Sequence, residues 1–351
     1  MLVAVASRKG SPGVTTLAAL IGAYWHQPGA TRLVLEADPS GGSLAARWSV
    51  AHGLTWDPGL LALSTSRRAM SLDLLPAVAQ PVADDLWVAA APPGPDQVEA
   101  GLLRLGDAGA AGLAAAHGLV TIADCGRLRP TLASMVLARR AALTVLVCRP
   151  RLDEVHALVP AVAELRASGC TLGLACIGHR PYEPDDVATS LGVELLGVVP
   201  DDERAAEALD LDGLAAGRTL RRSRLVAEVS ELVSRIQARC VELVGPLVPA
   251  GPAAGPAVHP GAPSPASGTV GTADPPSGSG SGSADAGVDG TSGARRPDGA
   301  AGDDGDEGDE QAVRRARLVA AGMDGPLSPA MMAARASAAA QVSPADRDDD
   351  E

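Results

Sequence analysis

Short apolar runs recur along the first 244 residues, separated by stretches with helical spacing. The runs are Leu2–Ala6, Leu33–Ala37, Leu86–Ala90, Leu119–Ala123, Leu143–Cys148, Thr171–Ile177 and Leu195–Val199. Most are continuous rather than alternating, which predicts strands buried on both faces of a parallel sheet. Helical patterns lie between them, at Gln97–Ala116, Leu132–Arg140 and Asp153–Ala167. Strands alternating with helices predict a doubly wound α/β fold, a mostly parallel sheet flanked by helices. A last amphipathic helix is predicted over about Thr219–Leu243, with Leu225, Val229, Leu232, Val233 and Ile236 on one stripe.

The pattern then stops. Residues 245–310 are mostly Pro, Gly, Ser, Ala and Asp, including Ser277-Gly278-Ser279-Gly280-Ser281-Gly282-Ser283. Such a segment buries too little apolar surface to offset the entropy of ordering it, so it is predicted to be disordered. Residues 311–351 are predicted to be a weakly helical, acidic tail, with short helices at Ala312–Ala321 and Pro329–Ala340. The folded domain is therefore expected at residues 1–244.

Composition sharpens this picture at few points. Phenylalanine is absent and aromatics are 2% of the chain, so the core must be built from Ala, Leu and Val. Arginine supplies 28 of the 29 basic residues, which we read as a bias toward GC-rich codons. The one lysine, Lys9, is more informative for it. The net charge of −13 divides into −4 over residues 1–245 and −9 over residues 246–351. Neither part has the basic footprint of a DNA-binding protein, so charge does not support DNA as a partner. The five cysteines have no zinc spacing, and their odd number argues against a disulfide framework. With no signal peptide and no apolar run of transmembrane length, a cytoplasmic location is expected.

The candidate chemistry begins at Lys9-Gly10-Ser11-Pro12-Gly13-Val14-Thr15-Thr16, between the first strand and the helical pattern Leu17–Ile21. A strand–loop–helix of this kind binds phosphate when consecutive N–H groups point into a concavity at the helix N-terminus. Gly10 and Gly13 suit the unusual dihedrals required. On its residues alone, the segment is also read as an ordinary Gly/Pro turn. Two carboxylates lie downstream at strand ends, Asp38 in Leu35-Glu36-Ala37-Asp38-Pro39 and Asp124 after Leu119–Ala123. In a parallel sheet both reach the carboxyl edge, beside the loop. Each is also read as a strand-end or helix-capping aspartate.

Together these segments resemble the MinD/ParA family of deviant Walker ATPases, whose loop reads Lys-Gly-Gly-x-Gly-Lys-Thr-Thr/Ser. The resemblance covers residues 1 to about 244 and implies the fold of a P-loop NTPase. Lys9 matches the family's signature lysine, which reaches across a dimer to the partner's nucleotide. Thr15 matches the Mg²⁺-binding threonine, and Thr16 is placed to contact the α-phosphate or to cap the helix. Asp38-Pro39 matches the switch segment Asp-x-Asp-Pro, with Glu36 at its first acid, and Asp124 matches the Walker B aspartate. The resemblance thus implies ATP or ADP with Mg²⁺ as cofactors, bound by Lys9, Gly10, Ser11, Gly13, Val14, Thr15 and Thr16. It implies metal ligation by Thr15, Asp38 and Asp124, and catalytic roles for Asp38 and Lys9. Leu86–Pro92 and Gly197-Val198-Val199-Pro200-Asp201-Asp202 resemble two further family segments.

Two departures bear on function. Val14 replaces the lysine that contacts the β- and γ-phosphates, an interaction worth roughly 1.5–3 kcal/mol, or about one to two decades in affinity. Reduced nucleotide affinity is expected, and hydrolysis should suffer more, because the missing charge would act in the transition state. The base-reading Asn-Arg pair becomes Gly178-His179-Arg180. Arg180 is placed to stack on a base, but the asparagine that reads adenine is missing.

The leading expectation is a nucleotide-binding protein that positions a cellular machine, with weak or absent ATP hydrolysis. Within the family it is similar to the TadZ and CpaE pilus-assembly localisation proteins, apart from the receiver-like domain those carry ahead of the loop. The implied partners are a second copy of the chain, in a homodimer, and proteins of a pilus, secretion or partition system. Membrane association is then peripheral, through those partners. The alternatives are an active ParA-type partition ATPase that binds DNA, a MinD-like membrane-associated regulator, and a nucleotide-free pseudo-ATPase scaffold.

Overall fold

We describe residues 1–213 and 223–247 from a computed structural model of the chain. The tail predicted to be disordered or weakly helical lies outside them, apart from residues 245–247. Eight strands form one sheet: β1 (Leu2–Ser7), β2 (Thr31–Glu36), β3 (Gln80–Ala83), β4 (Leu86–Ala89), β5 (Leu119–Arg127), β6 (Leu143–Cys148), β7 (Leu172–Ile177) and β8 (Glu194–Val199). Their order is β3-β4-β2-β5-β1-β6-β7-β8, and every pairing is parallel except β3 with β4. The doubly wound α/β fold expected from the continuous apolar runs is the fold observed. The strand not anticipated, β3, carries Pro81. Proline lacks a ladder donor and is tolerated at the sheet edge, where β3 has one neighbour only.

Strand alternation feeds two cores. In β1, Leu2, Ala4 and Ala6 face one cluster, while Val3 and Val5 face the other. The second face is covered by α1 (Val14–Tyr24) and by the last helix, α11 (Arg224–Val244). The predicted stripe of α11 is buried as expected, and residues 219–222 of the predicted helix fall outside the described residues. The first face is covered by α4 (Leu60–Thr65), α5 (Leu75–Val78), α6 (Pro95–Ala115), α7 (Met135–Arg140), α8 (Leu152–Ala167) and α9 (Pro184–Leu191). The short helices α2 (Leu44–Arg47) and α3 (Ser49–His52) follow β2, and α10 (Glu203–Asp212) follows β8.

Chain direction reverses beside β1. The chain leaves β1 for β2 and β4 on one side, returns through β5, then crosses to β6, β7 and β8 on the other. The carboxyl ends of β1 and β5 therefore border the crevice where open α/β sheets bind ligands. Helix α7 begins at Met135, three residues later than its periodicity predicts, because the preceding residues form hydrogen-bonded turns instead.

Candidate functional site

The loop between β1 and α1 has the backbone its glycines predict. Gly10 and Gly13 both have left-handed φ, of 74° and 88°. Gly13 caps α1, and its carbonyl accepts the Leu17 N–H at 2.9 Å. A Cβ on Gly13 would meet nothing within 4 Å, so the helix N-terminus opens onto free space. That space is a cavity of about 440 Å³, lined by the loop together with Ser7, Asp38, Ser40, Arg47, Gly126 and Arg127. No side chain caps α1. The expectation that Thr16 caps the helix is thus corrected: its hydroxyl accepts from Arg47 Nη2 at 3.0 Å.

Val14 is buried in the core cluster beneath α1, at 7% exposure. Its side chain supplies packing and no charge. Lys9 does not line the cavity of its own chain; it turns away, half exposed, to Asp153 Oδ2 at 3.3 Å. Gly10 approaches α8 closely, since a Cβ there would lie 2.9 Å from Glu154 Oε1.

Three carboxylates converge behind the loop. Glu36 and Asp124 are register partners on β2 and β5. Glu36 is buried but satisfied: Oε1 accepts the Ser43 and Leu44 N–H groups at 2.6 and 2.9 Å, and Oε2 accepts the Ala91 N–H at 2.9 Å. It ties the end of β2 to α2 and to the chain after β4. Burial raises its pKa, against the pull of these donors. Asp38 bends back, its Oδ1 accepting the Ser40 N–H at 2.8 Å.

Asp124 is fully buried. One oxygen accepts the Gly126 N–H at 3.1 Å, and Oδ2 has no hydrogen-bond partner. Burial, reinforced by the nearby charges of Glu36 and Asp38, raises its pKa to about 7, although the Thr15 side chain beside it draws the value down. A buried carboxylate oxygen without a donor is rare unless function requires it. Beside a threonine hydroxyl at the glycine loop, this donor set fits a hard divalent cation such as Mg²⁺, which takes oxygen ligands.

A second cavity, of about 250 Å³, shares Ser11, Gly13 and Thr16 with the first and is walled by Leu17, Leu20, Pro200 and Leu225. Arg180 lines neither of these. It borders a third cavity, of about 1050 Å³, which shares Arg149, Ile177, Pro200 and Asp201 with the second. The fold thus brings Gly10, Ser11, Gly13, Val14, Thr15, Thr16 and Asp38 around one space with Asp124 behind them, and leaves Lys9 and Arg180 outside it.

Sequence reading missed the arginines. Arg127 donates from Nε to the Gly10 carbonyl at 3.0 Å, and Arg149 from Nη1 to the Ser11 carbonyl at 3.3 Å. Arg47 bridges Thr16 to Asp210. The signal available was the place of Arg127, three residues beyond Asp124 at the end of a predicted strand.

No protein-family model matches the chain, and no curated protein sequence matches it. Solved structures do. The cell division ATPase MinD of Pyrococcus furiosus superposes with a TM-score of 0.53 at 18% identity, over 68% of this chain and 98% of that one. A ParA family ATPase of Chlorobium tepidum gives 0.53 at 15% identity, over 66% and 97%. A protein assigned to plasmid partition in Borrelia burgdorferi, solved with AMPPNP, gives 0.51 at 10% identity, over 68% and 98%. Identities this low speak to fold, and residues 1–213 and 223–247 carry the fold of the MinD and ParA ATPases.

Proposed function

We propose that the chain binds a nucleoside triphosphate and its diphosphate with Mg²⁺, with reduced affinity and little hydrolysis, and uses the bound nucleotide to pair with a second copy. One observation carries the reading. The Gly13-capped loop opens beside an orphaned Asp124 oxygen and the Thr15 hydroxyl, while Val14 turns into the core instead of offering a cation. The loop N–H groups hold the phosphates, and Thr15 and Asp124 hold the metal. When bound, Mg²⁺ draws charge from the phosphate oxygens. Asp38 faces the cavity and is placed to orient a water. Without a lysine at position 14, the cradle stabilises developing charge poorly, which supports a switch that turns over slowly. Exposed Lys9 is accessible to a partner's site.

In this reading the protein positions a cellular machine, of a pilus, secretion or partition system, by nucleotide-linked pairing. Titration of the full chain with MgATP and MgADP, with phosphate release measured in parallel, tests it. Binding with little release is the expected result. No binding at millimolar nucleotide would leave a scaffold without nucleotide, and rapid release would restore an active ATPase.

A further inference from the structure

Two cationic side chains line the phosphate cavity among the described residues, and their partners separate them. Arg47 is held by Asp210, with Nε 2.6 Å from Oδ1, so its charge is already met. Arg149 reaches the loop from outside the cavity and is met by Glu154 and Asp201, at 3.7 and 3.5 Å. Arg127 differs. It contacts only neutral acceptors, the Gly10 carbonyl at 3.0 Å and Ser11 Oγ at 3.5 Å, and no carboxylate among the described residues pairs with it.

Its root is rigid. Arg127 ends β5 opposite Ser7 of β1, and the next N–H, of Leu128, donates to the Ser7 carbonyl at 2.8 Å. The side chain therefore starts from the sheet, one residue after Gly126 and three after Asp124. A triphosphate entering this cavity meets Asp38 at its wall and Asp124 and Glu36 behind it, all repulsive while ionised. An unneutralised guanidinium at the mouth offsets that repulsion, and its planar fork matches two phosphate oxygens at once.

We propose that Arg127 takes the place of the loop lysine lost at Val14, binding the phosphate chain from the end of β5 rather than from the start of α1. This rests on the nucleotide-binding reading above. On binding, the guanidinium exchanges its neutral contacts to Gly10 and Ser11 for phosphate oxygens.

The test is calorimetric titration of the full chain with MgATP in five forms: wild type, Arg127→Gln, Arg127→Lys, Val14→Lys, and Arg127→Gln combined with Val14→Lys. Arg127→Gln should weaken binding about 10- to 100-fold. Arg127→Lys should keep much of the affinity, because it keeps the charge. Val14→Lys should restore binding in the Arg127→Gln background and gain more there than Val14→Lys alone gains in the native chain, a coupling that a merely structural role for Arg127 would not give. Thermal melting of each form separates lost binding from lost folding. Should Arg127→Gln fail to fold, Arg127→Lys must still bind for the inference to stand. Wild-type affinity in Arg127→Gln, or no rescue by Val14→Lys, overturns this inference and leaves nucleotide binding standing. No binding by the wild type overturns both.

Discussion

The Asp38 carboxyl occupies the space where a side chain on Gly126 would begin: a Cβ there would lie 2.0 Å from Asp38 Cγ. Gly126 also has φ of 55°, so two constraints fix it as glycine. Position 126 thus determines where a carboxylate at the end of the neighbouring strand can stand.

Gly126→Ala should therefore push Asp38 out of the cavity wall. A left-handed alanine costs about 1–2 kcal/mol, and the displaced carboxylate should lower any Mg²⁺-dependent phosphate release. Urea unfolding and a phosphate-release assay measure the two effects. An alanine variant with unchanged stability and turnover would show that the contact has no consequence.

Asp124→Asn should change stability and function in opposite directions. The Asp124 proton leaves near the ordinary aspartate value of 3.8 in the unfolded chain, but near 7 in the folded one. Folding therefore takes up a proton between those values. Stability from this group is full below about pH 4, falls as pH rises, and is lost by about pH 7, at up to about 1.4 kcal/mol per pH unit. Asparagine removes that fall and should raise stability at pH 8 without Mg²⁺. Glu36 is shifted the same way, so part of the slope should persist. Nucleotide binding should lose its Mg²⁺ dependence. Unfolding at pH 5 and pH 8, with titrations with and without Mg²⁺, gives the comparison; a variant less stable than wild type at pH 8 contradicts it.

Val14→Lys in the otherwise native chain should raise nucleotide affinity by about one to two decades. Loss of the buried valine costs roughly 1 kcal/mol, since the lysine stem retains part of the packing. If neither affinity nor turnover rises, the loop is not a working phosphate cradle.

Lys9→Ala should leave stability nearly unchanged. Both ends of its ion pair with Asp153 are about half exposed, and such pairs contribute under about 1 kcal/mol. Nucleotide-dependent association should disappear, as read by sedimentation with and without MgATP. Association that persists in the variant removes Lys9 from the interface.

Much of the fold was legible because strands buried on both faces must be continuously apolar, and β6 matches its run Leu143–Cys148 at both ends. The loop was legible because Gly10 and Gly13 adopt dihedrals that other residues avoid. β3 was not, since four residues containing Pro81 carry no periodic signal, and its pairing with β4 is what makes it a strand.

The sequence by itself determined the alternation of elements, the place of the loop at the end of β1, and the apolar residue, Val14, at the start of α1. These depend on local dihedrals and on the apolar period, which a short window contains. Tertiary structure alone decided what charge the site retains. Asp124 is orphaned because β1 and β2 flank it, and Arg127 reaches Gly10 across 117 residues of chain because β5 lies beside β1. Electrostatic interaction depends on distance in space and on burial, and neither is written in sequence spacing.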